Sequence, residues 1–310
     1  MELTIILFFL GFYILVKGAS FLVDGAMSFA HKFKISHIVI GLVIVGIGTS
    51  IPEFAITFVA NLLGKNSIGL GAVIGSNTFN ILFILGLCAL LFPLTLKEIW
   101  VKRDLVWNIG AVVFSLLLAL DGKLGRFDGL AMLTIFIFWL FHVLKEGKND
   151  NSNNEVENFH IVALPIAIIM MLAGFLGVIL GGKWVVDGAV EFARGLGMSE
   201  AIIGLTILGI GTSLPELTVS LTAAYKKQPG IAIGNIIGSN IFDFLMILGA
   251  SAFVKPILFP TNMFFDIGVT LFSAILLYIF MFTGQRHTLK RFEGFLFVGI
   301  YITYIIYTIS

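Results

Sequence analysis

The chain has 310 residues, of which 58% are hydrophobic and 12% charged, with 31 Phe and a net charge of +1. That balance excludes a soluble domain and places the chain in a bilayer, while the near-neutral charge leaves no electrostatic footprint for nucleic acid. A single cysteine, Cys88, excludes an internal disulfide, a CxxC redox pair and a thiolate zinc cluster.

Breaks at polar, Gly and Pro clusters predict an all-α integral membrane protein of ten spans, near 3–30, 37–63, 68–91, 103–120, 127–144, 161–193, 200–225, 231–254, 263–282 and 292–308. The first apolar run lacks the charged start and small-residue cleavage site of a signal peptide, so it reads as a retained helix. Spans one and six exceed a perpendicular crossing and are expected to tilt or to extend past the bilayer. Between spans five and six, "KEGKNDNSNNEVENFH" (145–160) reads as a hydrophilic cytoplasmic linker; Glu155 stands where a calcium-binding EF-hand loop needs its turn glycine. The linker separates 1–144 from 161–310, five spans each. Trp100, Trp107, Trp139 and Trp184 read as an interfacial belt.

The two halves repeat. "GLVIVGIGTSIPE" (41–53) matches "GLTILGIGTSLPE" (204–216) at 10 of 13 positions, and at the same offset "GAVIGSNTFNILFILG" (71–86) matches "GNIIGSNIFDFLMILG" (234–249) at 10 of 16. "VDGA" around Asp24 and Asp187 keeps that offset, and "RFDG" (126–129) pairs with "RFEG" (291–294) two residues later in register. A duplication accounts for all four coincidences. An odd number of spans per half makes the second copy enter from the opposite side, an inverted repeat whose site is expected near the midplane. With the N-terminus outside, the inner loops hold 12 basic residues and the outer loops 5, so both termini are predicted outside.

Carboxylates inside spans are costly, about 2.5–3.5 kcal/mol each at a helix centre, and mark function. Glu53, Asn80, Glu216 and Asp243 fall near mid-span at equivalent places in the two copies. Helical spacing sets Thr49 beside Glu53, Ser76 beside Asn80, Thr212 beside Glu216 and Ser239 beside Asp243, with Ser50 and Ser213 one step away. Pro52 and Pro215 lack an N–H, which frees the carbonyls of Gly48 and Gly211. Irregular backbone at membrane depth is tolerated where it lines a cavity. A set of carboxylate, hydroxyl, amide and carbonyl oxygens suits a hard cation, Ca²⁺ or Na⁺. All five histidines lie at span ends or in loops, which argues against an imidazole proton relay.

"GTSIPE" with "GAVIGSNTFN", and "GTSLPE" with "GNIIGSNIFD", resemble the paired repeats of the sodium/calcium exchangers within the cation/Ca²⁺ antiporter superfamily, closest to the short prokaryotic type. The resemblance covers the whole ten-span layout. It implies exchange of Na⁺ for Ca²⁺ by alternating access, with no enzymatic activity and no cofactor. It further implies Glu53 and Glu216 as principal Ca²⁺ ligands, with oxygens from Thr49, Ser50, Ser76, Thr212, Ser213, Ser239 and Asp243 in support and Asn80 opposite Asp243. The assisting backbone carbonyls correspond to Gly46 and Gly209; similar proteins often carry alanine there, so a looser backbone is expected here. Spans one and six are implied to slide across a rigid core.

The rival on the same scaffold is H⁺/Ca²⁺ exchange, whose branch resembles "GNxxE" around its acids, a pattern neither copy shows. A K⁺-dependent exchanger is a smaller alternative. An intramembrane hydrolase would rest on Ser239 with Asp243 and lacks a histidine; a channel would need an open, multi-subunit pore. Both half-sites lie in one chain, so a functional monomer in the lipid bilayer is expected. Asp24 and Asp187, with Lys17 and Lys183 nearby, are open between a gating role and an interface.

Overall fold

The computed structural model describes residues 2–146, 161–196, 209–261, 263–282 and 287–309. It is helical almost throughout. In chain order the elements are α1 (Glu2–Phe33), α2 (His37–Thr49), α3 (Ile51–Leu62), α4 (Asn66–Leu91), β1 (Leu94–Thr95), α5 (Glu98–Asp121), β2 (Lys123–Leu124), α6 (Arg126–Glu146), α7 (Leu164–Gly195), α8 (Gly209–Gly211), α9 (Leu214–Tyr225), α10 (Pro229–Val254), β3 (Ile257–Leu258), α11 (Met263–Phe282), β4 (Thr288–Leu289) and α12 (Arg291–Ile309). Among the described residues seven helices are long and apolar enough to cross a membrane, or eight with α2 and α3 counted as one span bent by 46°. This is a multi-pass membrane architecture. Most of the linker and residues 200–208 of the predicted seventh span lie outside the described residues.

Glycines bring α1 and α7 together as an antiparallel pair. A Cβ on Gly18 would stand 2.8 Å from Val178 N, one on Gly174 2.6 Å from Leu22 N, and one on Gly181 2.6 Å from Leu15 N. Backbones this close leave room for no side chain, so the two longest helices meet along their lengths. They leave most of their surface uncovered by protein, whereas α4 and α10 are wrapped by protein on nearly all sides.

Several contacts occur twice at the repeat offset. A Cβ on Gly294 would meet Gly86 O at 2.5 Å, and one on Gly129 would meet Gly249 O at 2.5 Å. The β1 ribbon pairs antiparallel with β4, and β2 with β3. Thr57 donates to Gly69 O and Ser220 to Ala232 O, the same bond 163 residues on.

Trp139 departs from the expected belt. It is fully buried, among the largest side chains of the core, because α6 packs against α10 at that level.

Candidate functional site

The "GTSxPE" motifs fold as breaks rather than as continuous helices. α2 stops at Thr49, Ser50 adopts φ −81° and ψ 6°, and α3 begins at Ile51; in the second copy Ser213 adopts φ −90° and ψ 8° before α9. Pro52 and Pro215 occupy the first turn of the new helix, where a missing N–H costs nothing. Glu53 and Glu216 therefore sit in the first turn of a half-helix, at the dipole end that favours negative charge. α7 passes both breaks: a Cβ on Gly48 would fall 2.1 Å from Phe175 Cε1, and one on Gly211 2.5 Å from Val186 Cγ2.

Asn80 and Asp243 come from α4 and α10, each at the start of a widened π-helical stretch, Phe79–Leu85 and Phe242–Ile247. Such turns are rare and recur at functional sites. Glu53, Glu216, Asp243 and Asn80 are each only 1% exposed. Glu53 lies within electrostatic reach of both Glu216 and Asp243, and no basic side chain pairs with any of the three acids among the described residues.

The oxygen ladders expected along each helix are instead built across the two halves. Ser50 Oγ donates to Glu216 Oε1 at 3.3 Å, Ser76 Oγ to Asp243 Oδ2 at 3.4 Å, and Asn77 Nδ2 to the same Oδ2 at 2.8 Å. Asn80 Nδ2 donates to Asn240 Oδ1 at 3.0 Å, and Thr49 Oγ1 lies 3.0 Å from Asn235 Oδ1. Ser239 Oγ donates to Gly46 O at 3.1 Å. The breaks at Ser50 and Ser213 are the reason: they end the helical register that would have stacked each hydroxyl on its own glutamate.

Seven buried acceptor atoms here receive no hydrogen bond: both Glu53 oxygens, Glu216 Oε2, Asp243 Oδ1, Asn77 Oδ1, Asn80 Oδ1 and Ser213 Oγ. Buried acceptors without donors are costly, at about 1–3 kcal/mol each and more when charged. No three His, Cys, Asp or Glu side chains form a metal-holding group among the described residues. The acceptors gathered here are hydroxyl and amide oxygens as well as carboxylates.

Gly46 is held closely, contrary to the looser backbone expected from alanine in similar proteins. A Cβ there would stand 2.8 Å from both Asn235 O and Ser239 N, so α2 and α10 approach nearer than an alanine permits. Gly209 begins the short α8, at the edge of the described residues. Thr212 is half-buried and lines a cavity.

That cavity, of about 1200 Å³, runs from Ser76, Thr212 and Pro215 past Gly75 and Gly182 to Lys183, Asp187 and Asp266. Its repeat counterpart is sealed. A Cβ on Gly75 would meet nothing within 4 Å, whereas one on Gly238, its equivalent, would fall 2.0 Å from Leu42 O. Ala19 and Val23, the equivalents of the cavity-lining Gly182 and Val186, have no exposed surface. On the sealed side Lys226 Nζ reaches Asp24 Oδ1 at 2.6 Å and Ser20 Oγ at 2.8 Å. On the open side Asp187 pairs within its own helix with Lys183.

Sequence reasoning does not single out Asn77, Asn235 and Asn240. Asn77 and Asn240 carry a visible signal, an amide kept at the same offset inside the repeated "IGSN" (74–77, 237–240) of an apolar run. Asn235 carries none, because its counterpart is Ala72.

The family model of the sodium/calcium exchanger protein matches residues 3–145 and 166–310. A membrane protein of Methanocaldococcus jannaschii is 34% identical over 95% of this chain and 94% of its own length. The sodium/calcium exchanger MaX1 of Methanosarcina acetivorans is 29% identical over 96% of both chains. A solved structure of the sodium-calcium exchanger NCX_Mj, soaked with Na⁺ and Ca²⁺, superposes with a TM-score of 0.86 at 32% identity over 98% of each chain. With two matched segments covering both halves, and relatives of the same length throughout, the chain belongs to the sodium/calcium exchanger family, a family of membrane transporters.

Proposed function

We propose that this chain exchanges Na⁺ for Ca²⁺ across the cell membrane by alternating access, as a monomer of ten transmembrane helices in two inverted five-helix repeats (1–144 and 161–310) with both termini outside. The observation that carries this reading is the group of seven undonated acceptors around Glu53, Glu216 and Asp243. Three carboxylates buried together repel one another, and a cation relieves both the repulsion and the lost hydration. Glu53 and Glu216 supply the charge for Ca²⁺. Thr49, Ser50, Ser76, Thr212, Ser213, Ser239, Asn80 and Asp243 supply further oxygens, and the Gly46 and Gly209 carbonyls assist.

Ca²⁺ and Na⁺ draw on the same oxygens, so occupancy by one excludes the other. An empty site of three acids is poorly suited to cross between states, and competition at one site with a barrier to the empty carrier yields antiport. Recurrence of the Gly86–Gly294 contact as Gly249–Gly129 supports the inverted repeat. One open and one sealed route to the site supports alternating access, and the closely packed α1–α7 pair is suited to move as one unit across the core.

Isothermal titration of purified protein tests the binding step. Ca²⁺ binding that weakens with added Na⁺, and that Glu216→Gln removes, is expected. Ca²⁺ binding indifferent to Na⁺ would contradict a shared site.

A further inference from the structure

Among the places where the two copies differ, besides Asn80 and Asp243, Asn235 stands where the first copy has Ala72. Asn235 is fully buried on α10, within the site. Its Nδ2 donates to the Glu216 carbonyl at 3.2 Å and to Ser220 Oγ at 2.9 Å. A carbonyl only accepts, so the amide nitrogen must face Glu216 and the amide oxygen must face Thr49. Oδ1 in turn only accepts, so across the 3.0 Å contact Thr49 is the donor.

A threonine hydroxyl has one proton and two lone pairs. Of the other acceptors around Thr49, Val45 O at 3.1 Å and Gly46 O at 3.2 Å belong to its own helix, and the Glu216 carboxylate of the other copy also faces its hydroxyl. Asn235 is the amide acceptor from the other copy, at 3.0 Å, and it is itself anchored to the backbone of Glu216. We infer that Asn235 is a positioning residue of the cation site: it takes the Thr49 proton across the interface between the copies and holds the Thr49 oxygen, lone pairs free, in register with Glu216. Ala72, the counterpart of Asn235, has no amide to offer, so this amide-to-threonine bond has no equivalent in the first copy. The inference rests on the cation-exchange reading.

The test is a double-mutant cycle in proteoliposomes, reading Na⁺-dependent ⁴⁵Ca²⁺ uptake against Ca²⁺ concentration. Asn235→Ala, which restores the residue type of the first copy, is expected to raise the half-saturating Ca²⁺ about tenfold, the scale of one buried hydrogen bond, with the maximal rate changed less than twofold. Thr49→Val is expected to cost about tenfold with Asn235 present and less than threefold in the Asn235→Ala background, since the hydroxyl is already unaligned. Should Asn235→Ala not be recovered folded, Asn235→Ser, whose hydroxyl stops one bond short of Oδ1, takes its place with the same expectation.

Equal Thr49→Val ratios in the Asn and Ala (or Ser) backgrounds, or an unchanged half-saturating concentration in Asn235→Ala, would overturn the inference while leaving exchange intact. Absence of Na⁺-dependent uptake by the unmutated protein would instead overturn the exchange reading.

Discussion

Ser50 Oγ donates to Glu216 Oε1 at 3.3 Å, so a hydroxyl of the first motif is bound to the acid of the second. The candidate site is shared between the copies rather than duplicated in them, and neither half holds all of its polar groups. Glu53→Gln and Glu216→Gln are therefore each expected to lower Ca²⁺ transport by at least a hundredfold while the protein is extracted and elutes as folded. Uptake near the unmutated rate by either variant would contradict the assignment.

Asp243 accepts from Asn77 and Ser76, while its counterpart Asn80 donates to Asn240. Asp243→Asn makes the two positions chemically alike and removes one charge from the site. The Na⁺ concentration that half-inhibits Ca²⁺ uptake should shift severalfold with little change in thermal stability, because the amide keeps the shape of the side chain. An unchanged Na⁺ profile would place Asp243 outside the ion path.

The Lys226–Asp24 pair closes the route opposite the cavity and is three-quarters buried. A partly buried pair of this kind contributes about 1 kcal/mol, enough to shift a two-state balance several fold. Lys226→Met in a Cys88→Ser, Ala19→Cys protein should speed labelling of the introduced thiol by a membrane-impermeant maleimide. Labelling at the rate seen with Lys226 intact would mean that the pair holds nothing shut.

Glycines divide into those that bear a neighbour and those that do not. A Cβ on Gly129 would lie 2.5 Å from both Gly249 O and Phe253 N, whereas Gly75 has nothing within 4 Å. Gly129→Ala should lower the apparent melting temperature, by the roughly 1–3 kcal/mol of an overpacked contact, while Gly75→Ala should leave it unchanged or raise it slightly. Size-exclusion profiles after heating give the comparison, and equal losses would contradict the packing described.

Much of the site is legible in the amino-acid sequence. The repetition of Glu53 as Glu216, each after Thr and Ser and a proline, marks it because a carboxylate in an apolar span is too costly to keep twice by accident. What the sequence hides are relationships between distant segments. Helical spacing places Thr49 beside Glu53, but the break at Ser50 turns the first-copy hydroxyls toward Glu216 instead. Asp24 has Lys17 as its nearest basic residue in sequence, yet Lys226 reaches it from the far end of α9, and Lys17 lies over the Tyr13 ring. Asn235 reads as drift in the repeat, since a mismatch with Ala72 gives no pattern to follow. Trp139 reads as interfacial from its place toward a span end, and only the packing of α6 on α10 buries it.

The most direct test is ⁴⁵Ca²⁺ uptake into proteoliposomes loaded with Na⁺, compared with matched vesicles holding K⁺ or an imposed pH gradient. Uptake that requires the outward Na⁺ gradient is the expected result, and its loss in Glu53→Gln would tie it to the shared site. Uptake that ignores Na⁺ and follows the pH gradient alone would contradict Na⁺-coupled exchange.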